Sequence, residues 1–143
     1  MKTRWIILLY HNVSWEDNLF TNRIGGTCAP DLFEHHIKMV SKYGDIVSIE
    51  DGLNLTRINN KNDVLFSFWF DDGFRGVRKY AMPILLNNDM TGAISICSKF
   101  INKDELFWRM KLSFIESVDG MRFLRSKLRK AGYLFNSGAD KMR

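Results

Sequence analysis

Residues 64–73 read VLFSFWFDDG, and this stretch decides the fold. Its first seven residues are almost all apolar, which predicts a strand covered on both faces, because half-exposed strands alternate apolar with polar residues. The strand ends abruptly in Asp71, Asp72 and Gly73. In parallel α/β folds ligands bind at the carboxyl ends of the strands, so two carboxylates here indicate a candidate site. The alternative is a polar turn that only ends the strand, since Asp and Gly are common in turns.

Strands and helices alternate on either side of this stretch. Apolar runs predict buried strands at residues 5–10 and 92–98, with a shorter strand at residues 45–49. The helical spacing of Phe33, Ile37 and Val40 predicts a helix that starts at Pro30 and stops at Gly44. Further helices are predicted at residues 75–86, bent or restarted at Pro83, and at residues 121–131, ended by Gly132. This alternation is typical of an α/β fold with a parallel sheet.

Length and composition favour a globular protein of one domain. The chain has 143 residues, of which 45% are hydrophobic and 26% charged, so disorder is a poor interpretation. The apolar run at residues 5–10 is too short to span a bilayer or to form the core of a signal peptide. We therefore expect a cytoplasmic protein without a membrane span, in which Cys28 and Cys97 are free, buried thiols.

The net positive charge of the sequence comes from its last residues. The net charge is +5, and residues 121–143 hold seven basic residues against one acidic residue. The rest of the chain is therefore nearly neutral, which weakens the case for a nucleic-acid partner. No recognition helix or aromatic single-strand motif accompanies the basic segment, so we expect no nucleic-acid binding.

Several segments together resemble the polysaccharide deacetylases, carbohydrate esterase family four. Residues 68–74 (FWFDDGF) resemble the Thr-Phe-Asp-Asp-Gly motif of this family, and residues 9–11 (LYH) resemble its first strand. Residues 80–85 (YAMPIL) and 92–96 (GAISI) resemble the helix and the strand that follow the aspartates. The resemblance covers roughly residues 6–115. It implies the fold class of an α/β protein, here a partial distorted (β/α) barrel with parallel strands alternating with helices.

The resemblance also implies a reaction, a cofactor and a substrate. The reaction is metal-dependent hydrolysis of N- or O-acetyl groups of a polysaccharide or oligosaccharide, so the substrate is an acetylated carbohydrate. In this family the first aspartate, here Asp71, is the catalytic base, and the second, here Asp72, is a ligand of a zinc-like divalent metal. A metal-bound water beside a carboxylate can attack an acetyl carbonyl, which makes this arrangement chemically consistent.

His11 is a further candidate catalytic residue, because it follows the first predicted strand and can face the same edge as the aspartates. Its alternative interpretation is a histidine at the core edge that bonds to backbone. His35 and His36 are adjacent on a predicted helix and point about 100° apart, so we expect solvated or half-buried side chains rather than a metal pair.

The sequence also departs from the family pattern. No histidine follows Asp72, whereas the family completes its metal site with a later pair of histidines, and Trp69 stands where a small hydroxyl residue is usual. We therefore expect residues 1–143 to be one domain truncated before the second metal-binding motif, with residues 121–143 as a basic helix and frayed tail. Such a domain would be incomplete or inactive alone, and would hold a metal only if the site were completed.

The alternative function is a non-catalytic remnant or a partner-dependent module that binds carbohydrate or protein. An oligomer or a partner chain would then complete the barrel.

Overall fold

The computed structural model describes residues 3–16, 18–54, 64–102 and 105–132, apart from the side chains of residues 119 and 121. These residues form two compact units. The described parts of Met1–Asp17 and Gly26–Glu105 make up the first unit, and those of Asn18–Gly25 and Leu106–Arg143 make up the second. In the described part of the chain, no helix is both long enough and apolar enough to cross a membrane.

The first unit alternates strands and helices. In chain order it contains β1 (Arg4–Tyr10), β2 (Asn12–Val13), β3 (Thr27–Cys28), α1 (Pro30–Val40), β4 (Asp45–Ile46), α2 (Ile49–Leu53), β5 (Val64–Phe70), a π-helical turn (Val77–Ala81), α3 (Met82–Asn87), β6 (Gly92–Ile94) and a 3₁₀ turn (Ser98–Phe100). The π-helical turn lies directly before α3, whose second residue is Pro83. The sequence predicts a bend or a restart at Pro83, whereas the helix changes from π to α geometry one residue earlier, at Met82, and the backbone stays helical through this point.

The strand β5 is the centre of the main sheet. β1 pairs with it in parallel along its whole length, from Arg4 opposite Val64 to Tyr10 opposite Phe70. On the other edge of β5, β4 pairs with the first half and β6 with the second half, both in parallel. These four strands confirm a mixed α/β class with parallel strands. Within the described residues they do not close into a barrel.

The hydrophobic core lies on one face of this sheet. Side chains alternate along a strand, so Phe66, Phe68 and Phe70 of β5 share that face. They pack against residues of α1, the π-helical turn and α3: Phe33, Ile37, Val40, Val77, Ala81 and Leu85. The predicted apolar stripe of α1 is therefore confirmed. Aromatic rings meet edge to face here, with the ring centroids of Phe33 and Phe68 5.6 Å apart.

The predicted full burial of two strands is wrong. In β1, Ile7 and Leu9 are 45% and 56% exposed, and in β6 Ile94 is 45% exposed. The physical reason for β1 is that the core contacts only its Leu8 and Tyr10 face, so the alternate residues face away from it. A short apolar run does not reveal whether both of its faces are covered.

The second unit consists of α4 (Trp108–Lys130) and the loop Asn18–Gly25. Ser113 is 1% exposed, donates to the carbonyl of Leu19 at 2.9 Å and accepts from the amide of Arg23 at 3.3 Å. The helix is interrupted at Gly120, where φ is 76° and ψ is 161°. The predicted basic helix is the part of α4 that follows this break, while the predicted frayed tail lies outside the described residues.

Both cysteines carry free thiols, as predicted. Cys28 is half-buried, whereas Cys97 is exposed, so the predicted burial of Cys97 is wrong. Cys97 follows β6 near the sheet edge, which explains its exposure.

Candidate functional site

The two aspartates lie at the carboxyl end of β5, where the sequence predicts a site. The amide of Asp71 donates to the carbonyl of Tyr10 at 2.8 Å and so extends the pairing with β1 by one residue. Asp72 and Gly73 then adopt positive φ angles of 70° and 69°. Gly has no Cβ, and Asp is one of the few other residues that tolerate this conformation. This turn directs the chain away from the sheet while leaving Asp71 at its edge.

Two hydrogen bonds converge on one oxygen of Asp71. The indole Nε1 of Trp69 donates to Oδ1 at 2.7 Å, and the hydroxyl of Ser95 donates to the same atom at 2.5 Å. Trp69 lies two residues before Asp71 and therefore on the same side of β5. Ser95 follows β6, and its amide donates to the carbonyl of Phe70 at 2.8 Å. The strand β5 and the residue that directly follows β6 thus supply the two donors.

These contacts favour the ionised form of Asp71. The hydrogen bond from Ser95, then that from Trp69, lower the pKa of the Asp71 carboxyl, and the charge of His11 lowers it further against the opposing effect of burial. His11 thus acts on Asp71 through its charge, so the two residues proposed from the sequence as catalytic lie within electrostatic range of each other.

The lowered pKa predicts how stability depends on pH. A carboxyl whose pKa is lower in the folded than in the unfolded state stabilises the fold above its unfolded pKa, and this contribution is lost as the pH falls through the folded pKa. We expect the Asp71→Asn substitution to cost stability near neutral pH and progressively less as the pH falls below about 4, the ordinary carboxyl range. Urea unfolding of both proteins across this range measures the difference, and a difference independent of pH would contradict the prediction.

His11 is the single residue between β1 and β2. The first residue of β2, Asn12, is 5% exposed, and its amide donates to the carbonyl of Gly26 at 3.0 Å. The side chain of Asn12 also donates to Thr27 Oγ1 at 3.3 Å. On its other side β2 contacts Gly76, where an added Cβ would lie only 2.2 Å from Asn12 Oδ1. The strand β2 therefore packs directly on the segment that follows the aspartates.

The metal site implied by the resemblance does not fit the residues described here. Asp72 is half-buried beside Asp71, but no group of three or more His, Cys, Asp or Glu side chains in the described ranges could hold a metal ion. A catalytic zinc ion normally has three protein ligands. We therefore derive no chemical step through a metal, and the role of Asp72 as a ligand stays a prediction.

The other two histidines lie away from this chemistry. His35 is exposed, and Nδ1 of the half-buried His36 shares a 2.9 Å hydrogen bond with the hydroxyl of Tyr10. Both positions match the prediction of solvated or half-buried side chains. Burial raises the pKa of Tyr10 to about 12, so its hydroxyl stays protonated at neutral pH.

Sequence reasoning missed the roles of Trp69 and Ser95. The sequence marks Trp69 as a departure from the family pattern, and its two-residue spacing from Asp71 places the two side chains on the same side of the strand. Ser95 is a single polar residue between Ile94 and Ile96. It lies 24 positions after Asp71 in the sequence, so no local pattern indicates the contact. The contact depends on the pairing of β6 with β5.

Comparison with known proteins identifies the fold. No family model and no curated protein matches the chain. The structure of the Streptococcus pyogenes deacetylase PplD in complex with acetate is similar over 79% of this chain and 52% of that one, with a TM-score of 0.55 and 21% identity. A de-N-acetylase from Aggregatibacter actinomycetemcomitans is similar over 69% of this chain and 39% of that one, with a TM-score of 0.53 and 20% identity. The matches thus span about half or less of these two proteins, and over that span the chain has a deacetylase-like fold.

Proposed function

We propose that this chain carries the proton-accepting part of a carbohydrate deacetylase site, built on part of a distorted (β/α) barrel. The substrate class is a polysaccharide or oligosaccharide that bears N- or O-acetyl groups. The observation that carries the proposal is the placement of Asp71, which two hydrogen-bond donors hold at the carboxyl edge of a parallel sheet. The similarity of that sheet to two deacetylases supports the same choice of reaction.

Asp71 and His11 have the chemistry that deacetylation requires. The Asp71 carboxylate accepts a proton from water as the water oxygen forms a bond to the acetyl carbonyl carbon. Collapse of the tetrahedral intermediate breaks the C–N or C–O bond, and the departing nitrogen or oxygen takes up a proton. His11, whose charge acts on Asp71, is the residue that we assign as the donor of this proton. The products are acetate and a free amine or hydroxyl group.

A partner-dependent binding module is the second candidate function. The observation that favours it is the apolar sheet face opposite the core, where Ile7 and Leu9 are 45% and 56% exposed. A second copy of the chain or a partner chain would bury these side chains by covering this face. Light scattering of the purified chain distinguishes a monomer from an assembly.

Acetate release tests the catalytic proposal. Wild type and the Asp71→Asn variant are incubated with N-acetylated chito-oligosaccharides and with an O-acetylated sugar, with and without added divalent metal. We expect Asp71→Asn to lower the rate by about 100-fold or more, because general base catalysis contributes that much. The Asp89→Asn variant is a matched control, since Asp89 also has a positive φ, of 53°, but is exposed after α3. Equal rates in wild type and Asp71→Asn would refute the assigned base, and no release by wild type would favour the binding module.

A further inference from the structure

We infer that Trp69 and Ser95 are positioning residues that hold the Asp71 carboxylate by Oδ1, so that Oδ2 is the oxygen that accepts the proton. This inference rests on the proposed function. It goes beyond that function by assigning a role to a tryptophan and a serine, and by distinguishing the two oxygens of one carboxylate.

The geometry around Oδ1 supports this role. Two donors, one in β5 and one directly after β6, reach the same oxygen, at 2.7 Å from Trp69 and at 2.5 Å from Ser95. A single donor would leave the carboxylate free to turn about that one contact, whereas two donors from different directions fix its plane. Hydrogen bonds to an ionised carboxylate are also stronger than those between neutral groups.

Both donors are attached to regular structure. Trp69 belongs to β5 and lies in register with Leu9 of β1 on one side and Ala93 of β6 on the other. Ser95 continues β6 through its backbone hydrogen bond to Phe70. Functional groups supported by strands keep their geometry better than groups supported by loops. The sheet therefore fixes the positions of the two donors, and their hydrogen bonds fix the orientation of the Asp71 carboxylate.

The position of Trp69 explains the departure from the family pattern. Where the family usually has a small hydroxyl residue, the indole of Trp69 supplies a rigid N–H. This N–H reaches the carboxylate of Asp71, which lies two residues later on the same side of the strand. Its side chain is half-buried beside Asp71, so the indole also covers part of that edge from water.

A test of the hydrogen bond does not depend on activity. The chain has four Trp, and loss of one indole N–H signal in Trp69→Phe assigns the resonance of Trp69 in a proton–nitrogen NMR spectrum. We expect this signal to lie downfield of the other indoles in wild type and to move upfield in Asp71→Asn, while Asp89→Asn leaves it in place. An unchanged Trp69 signal in Asp71→Asn would overturn the inference.

Steady-state kinetics test the functional consequence. We expect Trp69→Phe and Ser95→Ala each to lower kcat by between about tenfold and 100-fold, because small misplacements of a reacting group cost this much, with KM almost unchanged. Ser95→Thr keeps the hydroxyl and should restore most of the rate, which a purely structural role for the side chain would not predict. Equal losses in Ser95→Thr and Ser95→Ala, with matching circular dichroism spectra, would overturn the role of Ser95. If wild type releases no acetate, the proposed function fails, and the NMR result alone decides whether the donors hold Asp71.

Discussion

Replacing Phe68 by alanine is expected to lower the free energy of unfolding by about 3–5 kcal/mol, the usual cost of removing a buried aromatic ring. Phe68 has no exposed surface and lies in the central strand, with its ring centroid 5.6 Å from that of Phe33 and 6.3 Å from that of Tyr10. Its contacts thus join β5 to both β1 and α1. Since small domains are stable by only about 5–15 kcal/mol, this loss would remove a large share of the total.

Equilibrium unfolding in urea, followed by circular dichroism, measures this loss. Phe123→Ala is a matched control, because the same atoms are removed from a side chain that is 43% exposed on α4. We expect the control to change stability by about 0.5 kcal/mol, as is usual for surface substitutions. Similar losses at both positions would show that the face of β5 carrying Phe68 is not the core.

The central strand and the first helix could be predicted from the sequence because their patterns are local. Residues 64–70 are almost all apolar and form β5, and the three- and four-residue spacing of Phe33, Ile37 and Val40 marks the buried side of α1. The exposure of Ile7 and Leu9 could not be predicted in this way. It depends on which elements cover each face of the sheet, and a continuous apolar run carries no such information.

The candidate site shows the same contrast. A feature set by neighbouring residues could be predicted, whereas a contact between distant residues could not. Asp71 was predictable because it directly follows the strongest strand, and parallel strands place their ligands at that end. The donor Ser95 was not, because β6 meets β5 only through long-range pairing. The resemblance supplied the roles of Asp71 and Asp72, but the ligand set that it implies is not assembled by the described residues.

Replacing Gly76 by alanine is expected to destabilise the protein by about 1–3 kcal/mol, the usual cost of forcing extra atoms into a packed position. The backbone of Gly76 is already helical, with φ −60° and ψ −32°. On helix propensity alone, alanine should therefore be more stable by about 1 kcal/mol. The added Cβ, however, would lie 2.2 Å from Asn12 Oδ1 and 2.4 Å from the carbonyl oxygen of Val13. The second of these atoms belongs to the backbone, so β2 as a whole must move, and the steric cost exceeds the gain.

The same movement should displace His11, which directly precedes β2. We therefore expect Gly76→Ala to shift the imidazole NMR signals of His11 as well as to lower the urea midpoint. Gly26→Ala is the control on the other side of His11. Its added Cβ would lie at an ordinary 3.6 Å from the side chain of His11, and the φ of Gly26 is not positive, so we expect little loss of stability. If Gly76→Ala were as stable as wild type, the close approach of β2 to the segment after the aspartates would be refuted. The position of His11 would then lose its structural support, because this contact of β2 is what holds the segment that carries His11 in place.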